Sequence, residues 1–405
     1  MYHISIPEIP TQTLAIKLNK AGERSVLQGH PWVFSDSIHK INKEGKTGDL
    51  AVIFSQNKNQ VIGVGLFDLD SPIRIKMLHS GSGAKLNTEF FSEKIKEAFY
   101  KRAKLLQTDT NSYRLLFGEN DEFPGLIADV YANVLVVKLY SGIWYPFFND
   151  ILPLLIDICE CDCVVLRLSR KLQQQDLYNI IDGQVFYGNL ENDVVQFVEH
   201  GVYFSANVIK GHKTGYFLDH RANRKRVGEL SKEKTVLDVF SYAGGFSVHA
   251  LANNAKEVTS LDISKHALDI AIENGKLNPH TGKHKIIVGD AFVEMRKLIS
   301  EKKTFEVVVI DPPSFAKSTK EIDIAKKKYF ELALLGSKLT KKGGMLVLAS
   351  CSSRVTADAF FEINKNALQS QSKNYEMIDT TGHDMDHPIS FKEGAYLKCG
   401  YYKIR

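Results

Sequence analysis

Residues 235–247 read TVLDVFSYAGGFS: a short apolar run of strand type, a turn carrying Gly244 and Gly245, and the start of a helical segment near Ser247. Glycines in such a turn let the backbone approach a ligand closely. Further along lie four more apolar runs, EVTSLD at 257–262, KIIVGD at 285–290, FEVVVI at 305–310 and MLVLAS at 345–350. Strands that are apolar on both faces suit a parallel sheet covered on both sides. Each parallel crossover needs about a dozen residues or more, and the intervals between the runs supply them. The expected fold class of this region is α/β, a doubly wound sheet with helices on both faces.

In open sheets of this kind ligands bind beyond the carboxyl ends of the strands. Acidic residues stand there. Asp262 ends the second run, where a carboxylate can accept hydrogen bonds from both ribose hydroxyls of a nucleoside; capping the next helix is the plainer alternative. Asp290 ends the third, in reach of an adenine amino group, or as a helix cap. Asp238 lies inside the first run near the same edge, placed to orient the glycine loop or to meet an ammonium. The turn lacks G-x-G-x-x-G spacing, so a pyrophosphate on the helix N-terminus is not expected, and a nucleoside without a charged linker fits better.

The fourth run continues as DPPSF, 311–315, with two prolines that fix the backbone and remove N–H donors, making a rigid wall after Asp311. The fifth ends at Cys351 on the same edge. A lone cysteine near a strand end is most often a small buried hydrophobe. It can also be a nucleophile: cytosine C5 is too weakly nucleophilic for methylation until a thiolate adds to C6, after which a base removes the C5 proton and the thiol leaves.

Taken together, DVFSYAGGFS, the strand-end Asp262 and Asp290, and the D-P-P loop resemble the Rossmann-like S-adenosylmethionine methyltransferases. S-C-S beside D-P-P-S-F resembles more narrowly the bacterial ribosomal RNA large-subunit methyltransferases that form 5-methylcytosine. That resemblance implies S-adenosyl-L-methionine as cofactor, Cys351 and Asp311 as catalytic residues, and a target pocket lined by Pro312, Pro313 and Phe315. It implies cofactor contacts from Asp238, Tyr242, Gly244, Asp262, Asp290 and Asp311. Upstream, EHGVYFSANVIKGHKTGYFLDHRANRKR at 199–226 is similar to the segment this family places before its first methyltransferase strand. Tyr216, Phe217 and Asp219 are thereby implied as cofactor or lid contacts, and Arg221 and Arg224 as substrate contacts. His220 stands where glutamine is expected and has no assigned role.

The resemblance reaches the N-terminus. Gly-punctuated short runs such as LAVIFS and VIGVGLF, with GHPWVFSDSI at 29–38, look like a small PUA β-barrel, in which Trp32 reads as core anchor or RNA contact. NDEFPGLIADVYANVLVVK at 120–138 looks like the middle α+β domain of the same family. The expected organisation is a PUA-like RNA-binding barrel over 1–80, a middle α+β domain over 81–195 and the methyltransferase domain over 196–405. Two strands are expected to meet near Ala132 and Asn133, a helix over about 145–158, and Cys159, Cys161 and Cys163 on one face of a strand rather than as metal ligands.

Composition agrees without deciding. With 44% hydrophobic and 24% charged residues the chain reads as folded throughout, and a net charge of +5 tilts weakly toward a polyanionic partner. Five cysteines make no disulfide framework. No stretch approaches the ~18 apolar residues of a membrane span, so a cytoplasmic protein without a membrane partner is expected. Ribosomal RNA or the assembling large subunit is the expected partner, and a homodimer is left open. Basic residues in RANRKR and at Lys326, Lys327 and Lys328 could hold phosphates, while Asp386 and His387 are either proton carriers or a turn. Three other readings stay open: guanine-N7 methylation, which needs no thiol, an NAD-dependent oxidoreductase, and a non-catalytic RNA-binding module.

Overall fold

The computed structural model describes residues 2–3, 7–371 and 374–405, which divide into two compact units. The first comprises residues 1–198, 205–218 and 385–392; the second comprises 199–204, 219–384 and 393–405.

Among the described residues, two larger sheets dominate the first unit. A six-stranded sheet runs in the order Trp32–Phe34, Ile73–Ser80, Val61–Phe67, Leu50–Phe54, Thr13–Leu18, Ile38–Ile41. Its alternating residues Leu14, Ile16 and Leu18 close a core with Val26, Ile53 and Ile75. The strands around Gly65 pack so closely that a Cβ there would lie 2.5 Å from the Lys76 carbonyl oxygen. A five-stranded sheet follows, in the order Gln184–Gly188, Cys163–Leu168, Val134–Leu139, Leu126–Tyr131, Ser112–Phe117. The hairpin turns at Ala132 and Asn133, with Ala132 at φ +52°, and helices Thr88–Lys101 and Phe148–Cys159 pack against each other beside a core holding Phe91, Phe123 and Trp144.

One expectation is corrected here. Cys159, Cys161 and Cys163 do not share a strand face: Cys159 is the last residue of the helix, Cys161 lies in the link, and only Cys163 begins a strand. The apolar periodicity of FNDILPLLIDIC carries the helix through Cys159, and Glu160 ends it in the left-handed region at φ +50°.

The second unit is a seven-stranded sheet, with strands numbered here in chain order: β1 Thr235–Val239, β2 Glu257–Asp262, β3 Lys283–Val288, β4 Phe305–Ile310, β5 Thr340–Ser350, β6 Tyr375–Thr381 and β7 Lys398–Ile404. Their spatial order is 3-2-1-4-5-7-6. β1 to β5 are parallel, while β7 runs antiparallel between β5 and β6. Chain order reverses between β1 and β4, which opens a crevice beyond their carboxyl ends. Val236, Leu237, Val239 and Val307–Ile310 are buried, as strands covered on both faces require.

Candidate active site

Every strand-end residue singled out in the second unit comes from one edge of this sheet. β1 ends in a turn with three left-handed residues, Phe240, Tyr242 and Gly244, at φ +64°, +48° and +79°. At Gly244 the constraint is double, because a Cβ would lie 2.7 Å from the Cβ of Ala271. The helix Gly245–Ala252 starts directly after it.

Asp238 is fully buried. Its Oδ2 accepts the Ser247 backbone N–H at 3.0 Å and the Ser247 hydroxyl at 2.6 Å, whereas Oδ1 is buried with no partner. Burial pushes this carboxyl up to about 7, against the two Ser247 bonds that favour its anion. The Ser241 hydroxyl, in the same turn, is likewise buried without a partner. A buried orphan acceptor costs free energy unless a donor arrives, so Asp238 Oδ1 suits an ammonium group.

Asp262 at the end of β2 accepts the Tyr242 N–H at 2.9 Å and the Ser264 N–H at 2.9 Å. It is not the helix cap: Ser264 caps the helix Lys265–Lys276 through the Ala267 N–H. Asp290 does cap, accepting the Val293 N–H with Oδ1 at 3.1 Å, and it is exposed. Ser247 also links Asp238 to Ser260 at 2.6 Å, and Ser260 to His284 at 2.8 Å, an imidazole that burial holds down to about 4.

Across the crevice, Asp311 follows β4 and its N–H donates to the Val239 carbonyl at 3.3 Å, tying the D-P-P loop to β1. Phe315 packs against Phe240, Phe292 and Tyr329, and the Lys328 ammonium lies 4.8 Å from its ring centre. Cys351 directly follows β5. Its sulfur is 4.0 Å from the Pro312 carbonyl oxygen, so thiol and D-P-P loop share one corner. Tyr329, whose hydroxyl is pushed up to about 12 by burial, accepts the Ser350 hydroxyl beside it at 2.9 Å.

Lys398 is a residue that sequence reasoning passed over. It pairs with Ser350 across β5 and β7, and its buried ammonium donates to the carbonyls of Ser352, Val355 and Tyr396, fixing the loop that follows Cys351. Burial lowers it to about 8, and the neighbouring Cys351 opposes that shift. The available signal was a lysine at the start of a largely apolar strand, since buried lysines need partners.

The segment ahead of β1 departs from expectation. Arg221 and Arg224, expected to face a substrate, are buried. Arg224 binds Glu199 with two bonds of 2.7 and 2.6 Å, and Arg221 binds Asp384 at 3.2 Å. Their charges are neutralised inside the fold, as buried guanidinium groups require. Of the neighbouring basic residues, Arg226 pairs with Asp379 and Lys326 with Asp323. Asp219 accepts the Tyr396 hydroxyl at 2.8 Å, and His220 lies 3.4 Å from Asp311. Tyr216 and Phe217 belong to the first unit, where the Tyr216 N–H donates to the Tyr131 hydroxyl and Phe217 lies under the Lys213 ammonium. Asp386 and His387 are also in the first unit, fully buried and bonded to each other at 2.8 Å, with Asp386 accepting the Arg114 N–H.

The strand order with its antiparallel seventh strand, the glycine turn and the acids at the strand ends define a Rossmann-like methyltransferase. Residues 115–378 match the S-adenosylmethionine-dependent methyltransferase family and residues 16–80 a PUA-like domain. A "Ribosomal RNA large subunit methyltransferase" of Deinococcus radiodurans is 39% identical, over 99% of this chain and 100% of its own. A "Ribosomal RNA large subunit methyltransferase I" of Shewanella frigidimarina is 32% identical, over 95% of this chain and 98% of its own. The solved structure of SMU.776 complexed with SAH has the same fold, with a TM-score of 0.81 at 20% identity over 97% of this chain and all of that one. The chain belongs to the S-adenosylmethionine-dependent methyltransferase family, and S-adenosylmethionine is its cofactor. Among the described residues no helix is long and apolar enough to cross a membrane.

Proposed function

We propose that the protein methylates ribosomal RNA of the large subunit, forming 5-methylcytosine in 23S RNA through a covalent bond between Cys351 and cytosine C6. The observation that carries this reading is the place of the Cys351 sulfur, after β5 and 4.0 Å from the Pro312 carbonyl of the D-P-P loop. The names of the relatives, both ribosomal RNA large subunit methyltransferases, support the substrate class.

The residues of the crevice fit the cofactor. Asp238 Oδ1 would receive the methionyl ammonium, Asp262 the ribose hydroxyls and Asp290 the adenine amino group, while Gly244 would keep the turn open. When bound, S-adenosylmethionine supplies an electrophilic methyl group on sulfur. The target cytosine lies against Pro312, Pro313 and Phe315. Cys351 would add as thiolate to C6, raising electron density at C5, to which the methyl group would pass as the S–CH3 bond breaks and S-adenosylhomocysteine departs. Asp311 then takes the C5 proton, the C5=C6 double bond re-forms, and the C6–S bond breaks to return the thiolate.

Residues 1–80 serve as the RNA-binding PUA-like module, residues 81–195 as a middle α+β domain, and residues 196–405 carry the chemistry. The RNA is met as naked ribosomal RNA or in the assembling subunit, in the cytoplasm. Arg221 and Arg224 support the lid segment from within rather than holding phosphates. Mapping 5-methylcytosine in 23S RNA from cells with and without the protein tests the reading: one cytosine should lose its methyl group on deletion. An unchanged cytosine map with a lost 7-methylguanine would move the target to guanine N7.

A further inference from the structure

His220 is a buried titratable group beside Asp311 that the mechanism above leaves idle. Its Nε2 is buried without a hydrogen-bond partner, and the nearby Asp311 Oδ1 lies 3.4 Å away. Its Nδ1 faces the Asn223 side-chain amide at 3.2 Å. Asn223 directs its carbonyl oxygen to two hydroxyl donors, Thr381 at 2.6 Å and Tyr401 at 2.8 Å, so its NH2 group is the part turned to His220. An imidazole nitrogen that accepts a hydrogen bond carries no proton, so the neutral ring must carry its proton on the other nitrogen, Nε2. Asp311 Oδ1 lies 3.4 Å from that nitrogen.

The surroundings hold the ring in place. Tyr396 binds Asp219 on one side, Asp384 and Glu199 bind Arg221 and Arg224 on the other, and the Phe246 ring packs edge-on at 5.6 Å. A segment of six residues is thus fixed at four points around His220, more than a helix start needs for its own stability. Hydrogen bonds of catalytic groups are commonly long before substrate binds and tighten in the complex, so 3.4 Å suits a contact completed on binding.

We propose that His220 is a positioning residue for Asp311: Asn223 fixes the imidazole with its proton on Nε2, and that N–H holds the Asp311 carboxylate in the orientation from which it takes the C5 proton. The proton step rests on the 5-methylcytosine reading. In it the C5–H electron pair becomes the C5=C6 π bond, the C6–S pair returns to Cys351 as thiolate, and the proton passes to the Asp311 carboxylate. His220 contributes an oriented donor and exchanges no proton. The first two steps, thiolate addition and methyl transfer, do not need it.

The test has two arms on the full-length chain. Nitrogen-15 NMR of labelled histidines, assigned with His220→Gln, should show the His220 proton on Nε2; a proton on Nδ1 would overturn the proposal whatever the reaction catalysed. In multiple-turnover methylation, His220→Leu should lower kcat about tenfold or more with little change in KM for RNA or cofactor, while the single-turnover rate of methyl transfer stays near that of the wild type. It should also accumulate the methylated Cys351–RNA adduct on ordinary cytidine RNA. His220→Gln should recover most of the rate, because its carboxamide N–H can reach the same oxygen. A His220→Leu enzyme with wild-type kcat, or a His220→Gln enzyme as slow as His220→Leu, would also overturn it. Failure of wild-type enzyme to form any adduct with 5-fluorocytidine RNA would instead strike the nucleophile assignment, leaving the tautomer arm to judge His220.

Discussion

Only one oxygen of the Asp238 carboxylate is used by the fold, Oδ2 being held by Ser247, and Oδ1, buried with no protein donor, is the oxygen proposed to meet the cofactor ammonium. With its titration pushed up to about 7 by burial, the group is half protonated near neutrality before the cofactor binds. An ammonium pairs with the anion, so binding below pH 7 must expel a proton. Cofactor affinity should therefore rise with pH up to about 7 and then level off. Calorimetry at pH 6 in buffers of different ionisation heat should detect the proton released. Asp238→Asn should abolish that release and weaken binding on the order of tenfold or more, as expected for loss of a charge-assisted bond. Binding without proton release by the wild-type protein would take Asp238 out of the ammonium role. At this scale the acids at the strand ends were legible because the fold class says where to look. Their division of labour was not. Asp262 and Asp290 are alike in sequence, yet only Asp290 caps a helix, since Ser264 stands two residues beyond Asp262 and takes the cap.

At the scale of elements, the five parallel strands could be read from sequence because apolar-rich runs recur at crossover spacing, most nearly unbroken in β4 and in the second half of β5. β6 and β7 could not. β6 is an edge strand exposed along most of its length, so no apolar pattern marks it, and β7 carries Lys398 and Gly400 among its apolar residues. The basic run RANRKR misled for a related reason. Charge is visible in sequence, whereas the carboxylates that neutralise it, Glu199 and Asp384, come from remote segments. Glu199 is fully buried; burial alone would raise its carboxyl, but Arg224 and the His249 hydrogen bond outweigh this and hold it well below the usual range. A carboxyl lowered in this way stabilises the fold above its unfolded value of about 4.3 and loses that contribution as pH falls toward the folded value. Arg224→Ala should thus cost about 3–5 kcal/mol in urea unfolding at neutral pH by removing the two-bond partner of the buried Glu199. The salt dependence of RNA binding by the folded fraction should stay as in the wild type. A stable variant with a shallower salt slope would return Arg224 to the phosphates.

At the scale of the whole molecule, a PUA-like match over residues 16–80 and a methyltransferase match over residues 115–378 account for most of the chain. Both were legible from short motifs, because glycine-punctuated strands and strand-end acids survive in sequence where packing partners do not. What motif reading could not supply was the architecture around the thiol: the lysine clamp on the loop after Cys351 and the histidine beside Asp311 depend on β7 and on the segment ahead of β1. These converge on one corner of the sheet, the proposed place of the bond between enzyme and RNA. The measurement that bears on it most directly is incubation of wild-type and Cys351→Ala protein with S-adenosylmethionine and ribosomal RNA fragments carrying 5-fluorocytidine, read by denaturing gel and mass spectrometry. Fluorine cannot leave as a proton does, so the wild-type protein should be trapped with RNA on the peptide containing Cys351. The Cys351→Ala variant should bind cofactor and RNA normally, give no adduct and show no turnover on natural RNA. Substantial methylation by Cys351→Ala, or no adduct on an RNA whose unfluorinated form is methylated, would contradict the account.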